Sequence, residues 1–382
     1  MINKTTIYNY RSCLETEVAL HPELTVMIGA NGVGKSNILK AIYSFTKIER
    51  ANKSIPKLPK NASSFVNPTV ELKILTKENK TYQLKANLLI EEDKQNQDLI
   101  KRAVISYKPS NGKPDYELMT FDLLDGAHYL YDDQGDYSHA GRAKFEEVLS
   151  IVKSFKNISY YSASQFANSQ NCPISIEISQ VVFGAKKTSE NHSEFFENLY
   201  RTFKDNPTLF EQYIFLIGKE GLNLVESIDF SVQKIPNQNG RLREIVTLSA
   251  KVDGLNLLFN QLSDGTFRTL VLIFYLLSDE NDVLLIEEPE ISVHHGLLLS
   301  IMELIKQESK RKQIVISTHS DFVLDQVAPE NVVLVTKDRE KGTLAKPLSK
   351  SMSESEYKLL KEYLETEGNL GEYWRETDWE HE

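Results

Sequence analysis

Gly29-Ala-Asn-Gly-Val-Gly-Lys-Ser36 matches in full the phosphate-binding pattern G-x-x-x-x-G-K-S. The loop lies between a short β-rich run, Leu24-Thr-Val-Met-Ile28, and a segment of helical spacing that begins at Asn37. Its glycines allow successive backbone N–H groups to turn toward a phosphate, and the following helix adds its positive N-terminal end. We therefore predict that Lys35 reaches the β- and γ-phosphates of a nucleotide and that the Ser36 hydroxyl binds Mg²⁺.

Two adjacent carboxylates follow a second apolar run, Val283-Leu-Leu-Ile-Glu-Glu-Pro-Glu290. Open α/β sheets bind their ligands at the carboxyl ends of the strands. We predict that Glu287 holds Mg²⁺, directly or through water. Glu288 is predicted to orient and deprotonate the attacking water, a general-base role worth about 10²- to 10⁴-fold in rate.

A third apolar run, Ile314-Val-Ile-Ser-Thr-His-Ser320, ends in a histidine. A single histidine is usually structural, but this one ends the strand that follows the carboxylate strand. We predict that His319 lies within hydrogen-bond reach of a γ-phosphate and takes part in catalysis.

Leu262-Ser-Asp-Gly-Thr-Phe-Arg268 stands at the predicted start of a helix. Ser263 and Asp264 are good N-cap residues, so helix capping alone would account for them. The functional alternative is that Ser263, Gly265 and the helix N-terminus bind a phosphate. Since Gly29–Ser36 already provides one phosphate loop, this second anion site would serve ATP held by a different subunit.

Helices and strands alternate beyond residue 262, which indicates a parallel sheet. Strand-like runs at residues 70–76, 81–90 and 103–108 predict an antiparallel sheet built onto this core. Residues 166–222 are predicted to form a small helical insertion, with one helix burying a face that consists of Phe195, Phe196, Leu199, Tyr200 and Phe203. The predicted domains are an N-terminal ATPase lobe (1–165), this insertion (166–222), a C-terminal ATPase lobe (223–350) and an acidic tail (351–382).

The order GANGVGKS, LSDGT, LLIEEPE and STHS resembles that of ATP-binding-cassette ATPases, within the SMC, RecF and OLD branch. It is most similar to the stand-alone AAA-family ATP-binding proteins of bacterial anti-phage defence operons. The resemblance covers about residues 1–50 and 255–336. It implies an α/β P-loop NTPase fold and a head-to-tail homodimer that sandwiches two ATP molecules with Mg²⁺. The residues expected to bind the nucleotide are Gly29, Asn31, Gly32, Gly34, Lys35, Ser36 and Asn37 of one chain, with Ser263 and Gly265 of the other.

Three points of the resemblance are less regular. Family members have a glutamine loop that contacts Mg²⁺, and Gln165 is the candidate for it in this chain. Glu287 stands where Asp is commoner, as it also does in related OLD-like sequences. His294 and His295 lie where such proteins often have Leu-His-Pro, and they fit either a dimer interface or the exposed start of a helix.

The resemblance implies an ATPase switch that controls an effector, a nuclease or toxin encoded nearby as a separate polypeptide. The alternative is a RecF-like repair ATPase that clamps DNA. Its support is a basic stretch that consists of Lys47, Arg50, Lys53, Lys57 and Lys60. Such a run is more often a solvated loop. The motifs LSDGT and EEPE disfavour a third hypothesis, in which the chain is the soluble subunit of a transporter. A nuclease in its own right is disfavoured because the eight histidines show no metal-ligand spacing.

The net charge of −10 is unevenly distributed over the 382 residues. Residues 1–120 hold 18 basic and 12 acidic side chains, a net charge of +6, and the remainder carries −16. Attraction to an anionic polymer such as DNA is therefore expected to be local. Residues 351–382 carry ten acidic and three basic side chains and both tryptophans, Trp374 and Trp379. We expect residues 368–379 either to dock on a basic partner or to fold onto the core of the chain.

With 41% hydrophobic and 26% charged residues, the composition is typical of a globular protein with a sizeable core. Only two cysteines are present, Cys13 and Cys172, which favours a cytoplasmic location with reduced thiols. The apolar runs are shorter than the roughly 18 residues that a membrane span needs. The first residues show no apolar signal-peptide core. Secretion and membrane insertion are therefore not expected.

Overall fold

The computed structural model describes residues 1–47, 69–75, 81–92, 98–109, 119–124, 127–131, 158–178, 192–236, 242–278, 281–366 and 368–376. Several features predicted from the sequence lie outside these residues. They are a helix over residues 141–155, four residues of the basic stretch (Arg50, Lys53, Lys57 and Lys60) and Trp379.

In chain order, the strands within the described residues are β1 (Ile2–Tyr10), β2 (Cys13–Ala19), β3 (Leu24–Ile28), β4 (Thr69–Leu75), β5 (Thr81–Glu92), β6 (Asp98–Pro109), β7 (Met119–Leu124), β8 (Ala127–Tyr131), β9 (Ile158–Ser162), β10 (Ser175–Ile178), β11 (Ser227–Pro236), β12 (Leu242–Val252), β13 (Leu255–Leu258), β14 (Val283–Glu287), β15 (Gln313–Thr318), β16 (Val332–Asp338) and β17 (Gly342–Pro347).

The α-helices, again in chain order, are α1 (Lys35–Lys47), α2 (His192–Asp205), α3 (Pro207–Ile217), α4 (Asp264–Leu277), α5 (His295–Ser309), α6 (Asp321–Leu324), α7 (Glu354–Thr366) and α8 (Leu370–Glu376). A membrane-spanning helix is not found in the part of the chain that the structure describes.

Contacts divide the chain into two compact units. The first unit comprises Met1–Ser159, Glu280–Glu287 and Ser309–Glu382, and the second comprises Tyr160–Asp279 and Glu288–Glu308. The division into four segments that the sequence suggests stays a prediction.

One large mixed sheet organises the first unit. Among the described residues it has thirteen strands in the order β8-β7-β6-β5-β4-β1-β2-β17-β16-β3-β15-β14-β9, and β9 carries the chain into the second unit. The strands β14, β15, β3 and β16 pair in parallel. For β14 and β15 this is the pairing that the alternation of helices and strands predicts. The sequence predicts β4, β5 and β6 as an antiparallel sheet and does not predict β7 and β8. The strands β4 to β8 pair antiparallel. They do not form a separate sheet, however, because β1, β2 and β17 join them edge to edge to the parallel strands.

The parallel strands are apolar because both faces of the sheet are covered there. Every residue of β3, β14 and β15 is buried. The β16–β17 hairpin is not predicted from the sequence, although Val332-Val-Leu-Val335 is an apolar run. It pairs with β3 through β16.

The second unit combines helices α2 to α5 with a small antiparallel sheet, in which β12 lies between β10 and β11 and also pairs with β13. Helix α3 begins with Pro207 at its first turn, and the side chain of Asn206 caps it by accepting the Leu209 N–H at 3.2 Å. Helices α2 and α3 lie in the segment predicted to be helical, 166–222, and the same segment also contributes β10 to the small sheet.

One residue of the predicted buried face of α2 is exposed. The side chains of Phe195, Phe196, Leu199 and Tyr200 are buried, whereas that of Phe203 is 43% exposed. Phe203 lies in the last turn of α2, where its ring stacks on Phe230 with 4.8 Å between the ring centroids. Helical periodicity places residues on one face, but it does not give the depth to which each end of the helix is covered.

The C-terminal helix α8 folds onto the first unit. Leu370 and Trp374 are 5% and 8% exposed. The Gly371 N–H donates to Asp325 Oδ1 at 2.6 Å, and Arg375 Nε lies 3.4 Å from Asp321 Oδ2. For residues 368–376 the structure therefore corresponds to the second of the two expectations, in which the tail packs on its own core.

Both cysteine thiols are buried, at 0% exposure for Cys13 and 2% for Cys172. Burial raises the pKa of Cys13, and it raises the pKa of Cys172 to about 12. Because the thiolate is the reacting form, we expect neither cysteine to react with Ellman's reagent at pH 8 until the protein unfolds. Denaturant should release two reactive thiols per chain. Stoichiometric labelling of the native protein within the mixing time would contradict this burial.

Candidate nucleotide site

The glycine-rich loop is held at two places where a side chain cannot fit. A Cβ on Gly29 would lie 2.0 Å from the Val335 carbonyl oxygen. A Cβ on Gly34, whose φ is +112°, would lie 2.1 Å from Thr343 Oγ1. Both obstacles belong to the β16–β17 hairpin. The loop therefore requires glycine for close approach as well as for conformation.

A chain of polar groups supports the loop from behind. Asn37 Nδ2 donates to Ser12 Oγ at 2.7 Å. Thr343 Oγ1 lies 2.8 Å from Ser12 Oγ and 2.7 Å from the Val33 carbonyl oxygen. Since a carbonyl can only accept, the Thr343 hydroxyl donates to Val33 and the Ser12 hydroxyl donates to Thr343. Asn37, which was expected to bind nucleotide, therefore contributes its side-chain amide to this support.

Lys35 opens α1 and is 6% exposed. Its Nζ donates to the carbonyl oxygens of Gly29 and Ala30, at 2.6 and 3.0 Å. The ammonium is therefore held over the same loop whose N–H groups would bind phosphate. Ser36 is half-buried, and Asn31 and Gly32 are exposed at the tip of the loop.

Three neighbouring strands bring candidate residues to one edge of the parallel sheet. In the register of β14, β15 and β3, Glu287 is level with Ser317, and Ser317 is level with Met27. The glycine-rich loop follows β3, Glu287 ends β14, and His319 follows β15. Glu287 is 7% exposed and His319 is exposed. The structure thus places the loop, Glu287 and His319 on the same edge, as the sequence predicts from the ends of parallel strands.

The residues at this edge fit a nucleotide with Mg²⁺. The hydroxyl of Ser317 is buried beside Glu287, and no residue in the described part of the chain is a hydrogen-bond partner for it. Such an orphaned group is uncommon in folded proteins and suits a site that receives a polar ligand. Mg²⁺ is bound through one or two carboxylates plus substrate phosphates, so the oxygens of Ser36 and Glu287 are a suitable donor set. Among the described residues, no group of three or more His, Cys, Asp or Glu side chains could by itself hold a metal ion.

The LSDGT residues 262–266, called the signature below, lie in the second unit, at the start of α4. Ser263 Oγ accepts the Thr266 N–H at 3.1 Å and donates to Thr266 Oγ1 at 2.8 Å, so Ser263 does cap the helix. Ser263 is exposed and Gly265 is half-buried. The capping role is therefore observed, and the phosphate-binding role stays a prediction.

The residues after β14 form a tight turn in the second unit. Glu288 and Ser292 have left-handed backbones, with φ of +52° and +63°. The Ile291 N–H donates to the Glu288 carbonyl and the Val293 N–H donates to that of Glu290, both at 3.2 Å. Non-glycine residues in this conformation cost of order 1–3 kcal/mol each and persist when their surroundings hold them.

Arg268 was not singled out from the sequence, although it is the only basic residue in the apolar helix α4. It is 8% exposed. Its Nη2 donates to the Ala167 carbonyl at 2.8 Å, its Nε donates to that of Phe166 at 3.4 Å, and its Nη1 donates to Ser292 Oγ. A charged residue in an otherwise apolar helix is the sequence signal for a buried side chain that hydrogen-bonds to neighbouring segments.

Gln165 is half-buried in the second unit, and its N–H donates to the Ser162 carbonyl at 3.1 Å. His294 and His295 are exposed at the start of α5, where His294 Nδ1 accepts the Leu297 N–H at 3.2 Å. This contact is that of a helix start, one of the two expectations for this pair. Ser12, Thr343 and Ser317, which surround the loop and Glu287, were also not predicted.

Residues 24–325 match the family described as "AAA domain, putative AbiEii toxin, Type IV TA system". The chain is similar in fold to an SMC head bound to the C-winged helix domain of ScpA, with a TM-score of 0.50, 14% identity, and coverage of 92% of this chain and 99% of that one. The SMC head domain from Thermotoga maritima aligns with a TM-score of 0.45, 13% identity, and coverage of 91% and 98%. No curated protein matches the chain.

We expect Thr343→Val to loosen the glycine-rich loop, because it leaves the Val33 carbonyl without its donor and the Ser12 hydroxyl without its acceptor. The loss should be about 1–3 kcal/mol in the free energy of unfolding, measured by urea denaturation. Affinity for a fluorescent ATP analogue should fall about tenfold, the factor that corresponds to 1.4 kcal/mol.

The matched control is Thr343→Ser, which keeps the hydroxyl and should keep both values close to those of the unaltered protein. Equal nucleotide affinity in the two variants would show that this hydroxyl does not support the loop.

Proposed function

Since the chain belongs to this family of AAA domains, we propose that it is an ATP-hydrolysing switch of the SMC-like type. ATP would bind with Mg²⁺ at the glycine-rich loop, and its hydrolysis would open a closed homodimer. The observation that carries the proposal is the common edge of β3, β15 and β14, from which the loop, His319 and Glu287 extend. Proteins of this architecture bind ligands at that edge.

Binding would use backbone and side-chain groups of the first unit. The N–H groups of the loop residues Gly32 and Gly34 and the start of α1 would surround the phosphates. The Lys35 ammonium would turn from its two carbonyl contacts to the β- and γ-phosphates. Ser36 and Glu287 would hold Mg²⁺, and Gln165 is the further candidate. When bound, Mg²⁺ offsets the negative charge that the phosphates carry and develop.

Hydrolysis requires a group that accepts a proton from water. Glu288 is proposed as this base: the water oxygen forms a bond to the γ-phosphorus, the bond from the γ-phosphorus to the bridging oxygen of ADP breaks, and the carboxylate takes the proton. His319 would donate a hydrogen bond to the γ-phosphate and stabilise its charge. Both residues stand directly after a strand of the parallel sheet.

A homodimer would complete each site. The exposed hydroxyl of Ser263 and the N-terminus of α4 are proposed to bind the phosphates of ATP held by the partner copy. ATP shifts the equilibrium toward the closed dimer only if it binds that state more tightly than the open one. Contacts from Ser263 and Gly265 would supply this difference, because they form only on closure.

The biological output is proposed to be control of a separate effector, a nuclease or toxin, in defence against phage. The description of the family names an AbiEii toxin and a type IV TA system, which supports a toxin as the effector. ATP turnover should be measured for the purified chain, alone and with the product of a neighbouring gene, each with and without DNA. Stimulation by the neighbour supports effector control. Stimulation by DNA alone would favour the RecF-like alternative.

We expect Glu288→Gln to bind ATP normally and to accumulate as an ATP-loaded dimer. Its turnover should fall by about 10²- to 10⁴-fold, because the amide cannot accept the proton. The rate of ATP turnover is measured as phosphate release, and the mass of the ATP-loaded protein is measured by light scattering during size-exclusion chromatography. Wild-type turnover in this variant would refute the assignment of the base, and a monomer at saturating ATP would refute the dimer.

Two controls separate these effects. Glu290→Gln makes the same chemical change two residues away and should leave turnover near that of the unaltered protein. Lys35→Ala should abolish binding of ATP, and with it both turnover and dimer.

A further inference from the structure

Arg268 joins three segments of the second unit that each carry a predicted nucleotide-site residue. Its own helix α4 begins with the signature residues Ser263 and Gly265. The carbonyls that it binds belong to Phe166 and Ala167, which follow Gln165. The hydroxyl that it binds belongs to Ser292, in the turn that starts at Glu288.

We propose that Arg268 and Ser292 are positioning residues for Glu288, and that they tie its turn to the helix that carries the signature. The role of Glu288 in this inference rests on the proposed function. The tie, by which we mean the hydrogen bonds of Arg268 to Ser292 and to the Phe166 and Ala167 carbonyls, lies within the second unit. It couples two events that would otherwise be independent, namely the binding of phosphate at the start of α4 and the placement of the base.

Backbone packing reinforces the side-chain tie. A Cβ on Gly265 would lie 2.7 Å from the Ser292 carbonyl oxygen, so the turn lies directly against the first turn of α4. The left-handed conformations of Glu288 and Ser292 persist only when the surrounding structure holds them. Arg268 and Gly265 provide that support at Ser292.

The electrostatic surroundings suit a buried guanidinium. A charge removed from water is costly unless its donors are paired, and three nitrogens of Arg268 have acceptors. Asp264 lies on the same helix, and its carboxylate accepts the Ser169 N–H at 2.8 Å. This hydrogen bond lowers the pKa of Asp264, and the charge of Arg268 lowers it further, so the carboxylate stays ionised near the guanidinium. Ser169 Oγ also donates to the Leu262 carbonyl at 2.7 Å. The segment after Gln165 is therefore attached to the start of α4 by this hydrogen bond as well as by the contacts of Arg268.

The test compares three variants of the full chain. Ser292→Ala removes one hydroxyl from an exposed residue and leaves the contacts of Arg268 with Phe166 and Ala167 in place. Arg268→Lys keeps the charge but loses the planar fork, so one ammonium cannot bind all three acceptors. The matched control is Arg243→Lys. Arg243 lies in the same unit, where it forms an exposed pair with Glu177 at 2.9 Å.

The first readout is hydrogen exchange of the Ile291 and Val293 amides in the protein without nucleotide. We expect exchange to rise about tenfold in Ser292→Ala and Arg268→Lys, the effect of losing one hydrogen bond to a charged group, and to stay unchanged in Arg243→Lys. Unchanged exchange in Ser292→Ala would overturn the inference, even if Arg268→Lys failed to fold.

The second readout separates kcat from nucleotide affinity. In Ser292→Ala, kcat should fall about tenfold while the Kd for an ATP analogue changes by less than about twofold, because only the placement of the base is affected. A residue that merely stabilised the fold would lower the melting temperature and weaken both together, and that result would refute a positioning role. If the unaltered protein shows no ATP turnover, the proposed function fails, and exchange at Ile291 and Val293 still decides whether the tie exists.

Discussion

The β16–β17 hairpin lies so close behind the glycine-rich loop that no side chain fits at Gly29 or Gly34. The loop leaves β3, which is paired in parallel on both sides by β15 and β16. Its position is therefore set by the middle of the sheet, and its conformation is set by Val335 and Thr343 of the hairpin. A loop that its neighbours already hold in place needs little further ordering when it binds phosphate, which favours affinity.

The candidate chemistry is divided between the two units, and the boundary falls between Glu287 and Glu288. The proposed Mg²⁺ ligand ends a buried strand of the first unit, whereas the proposed base begins a turn of the second. Each unit holds its own residues by a separate set of contacts. Thr343 and Ser12 support the loop in the first unit, and Arg268 supports the turn of Glu288 in the second.

Much of the fold could be predicted from the sequence because its signals are local. The apolar runs before Gly29, Glu287 and His319 are strands, and their parallel pairing follows from the helices between them. Other features depend on distant partners. The antiparallel strands join the main sheet because β17 pairs with β2, at Gly342 and Cys13. The exposure of Phe203 reflects how far the neighbouring elements cover α2.

The sequence by itself determined which chemical groups stand at the ends of which strands: the glycine-rich loop, Glu287 and His319. Spacing along the chain is sufficient for that, because parallel strands end at one edge. Only the tertiary structure decided what holds these groups. Thr343 lies 331 positions from Ser12 in the chain, and Arg268 lies 101 positions from Ala167. No local pattern relates residues so far apart, since their contacts arise only when the strands and helices pack together.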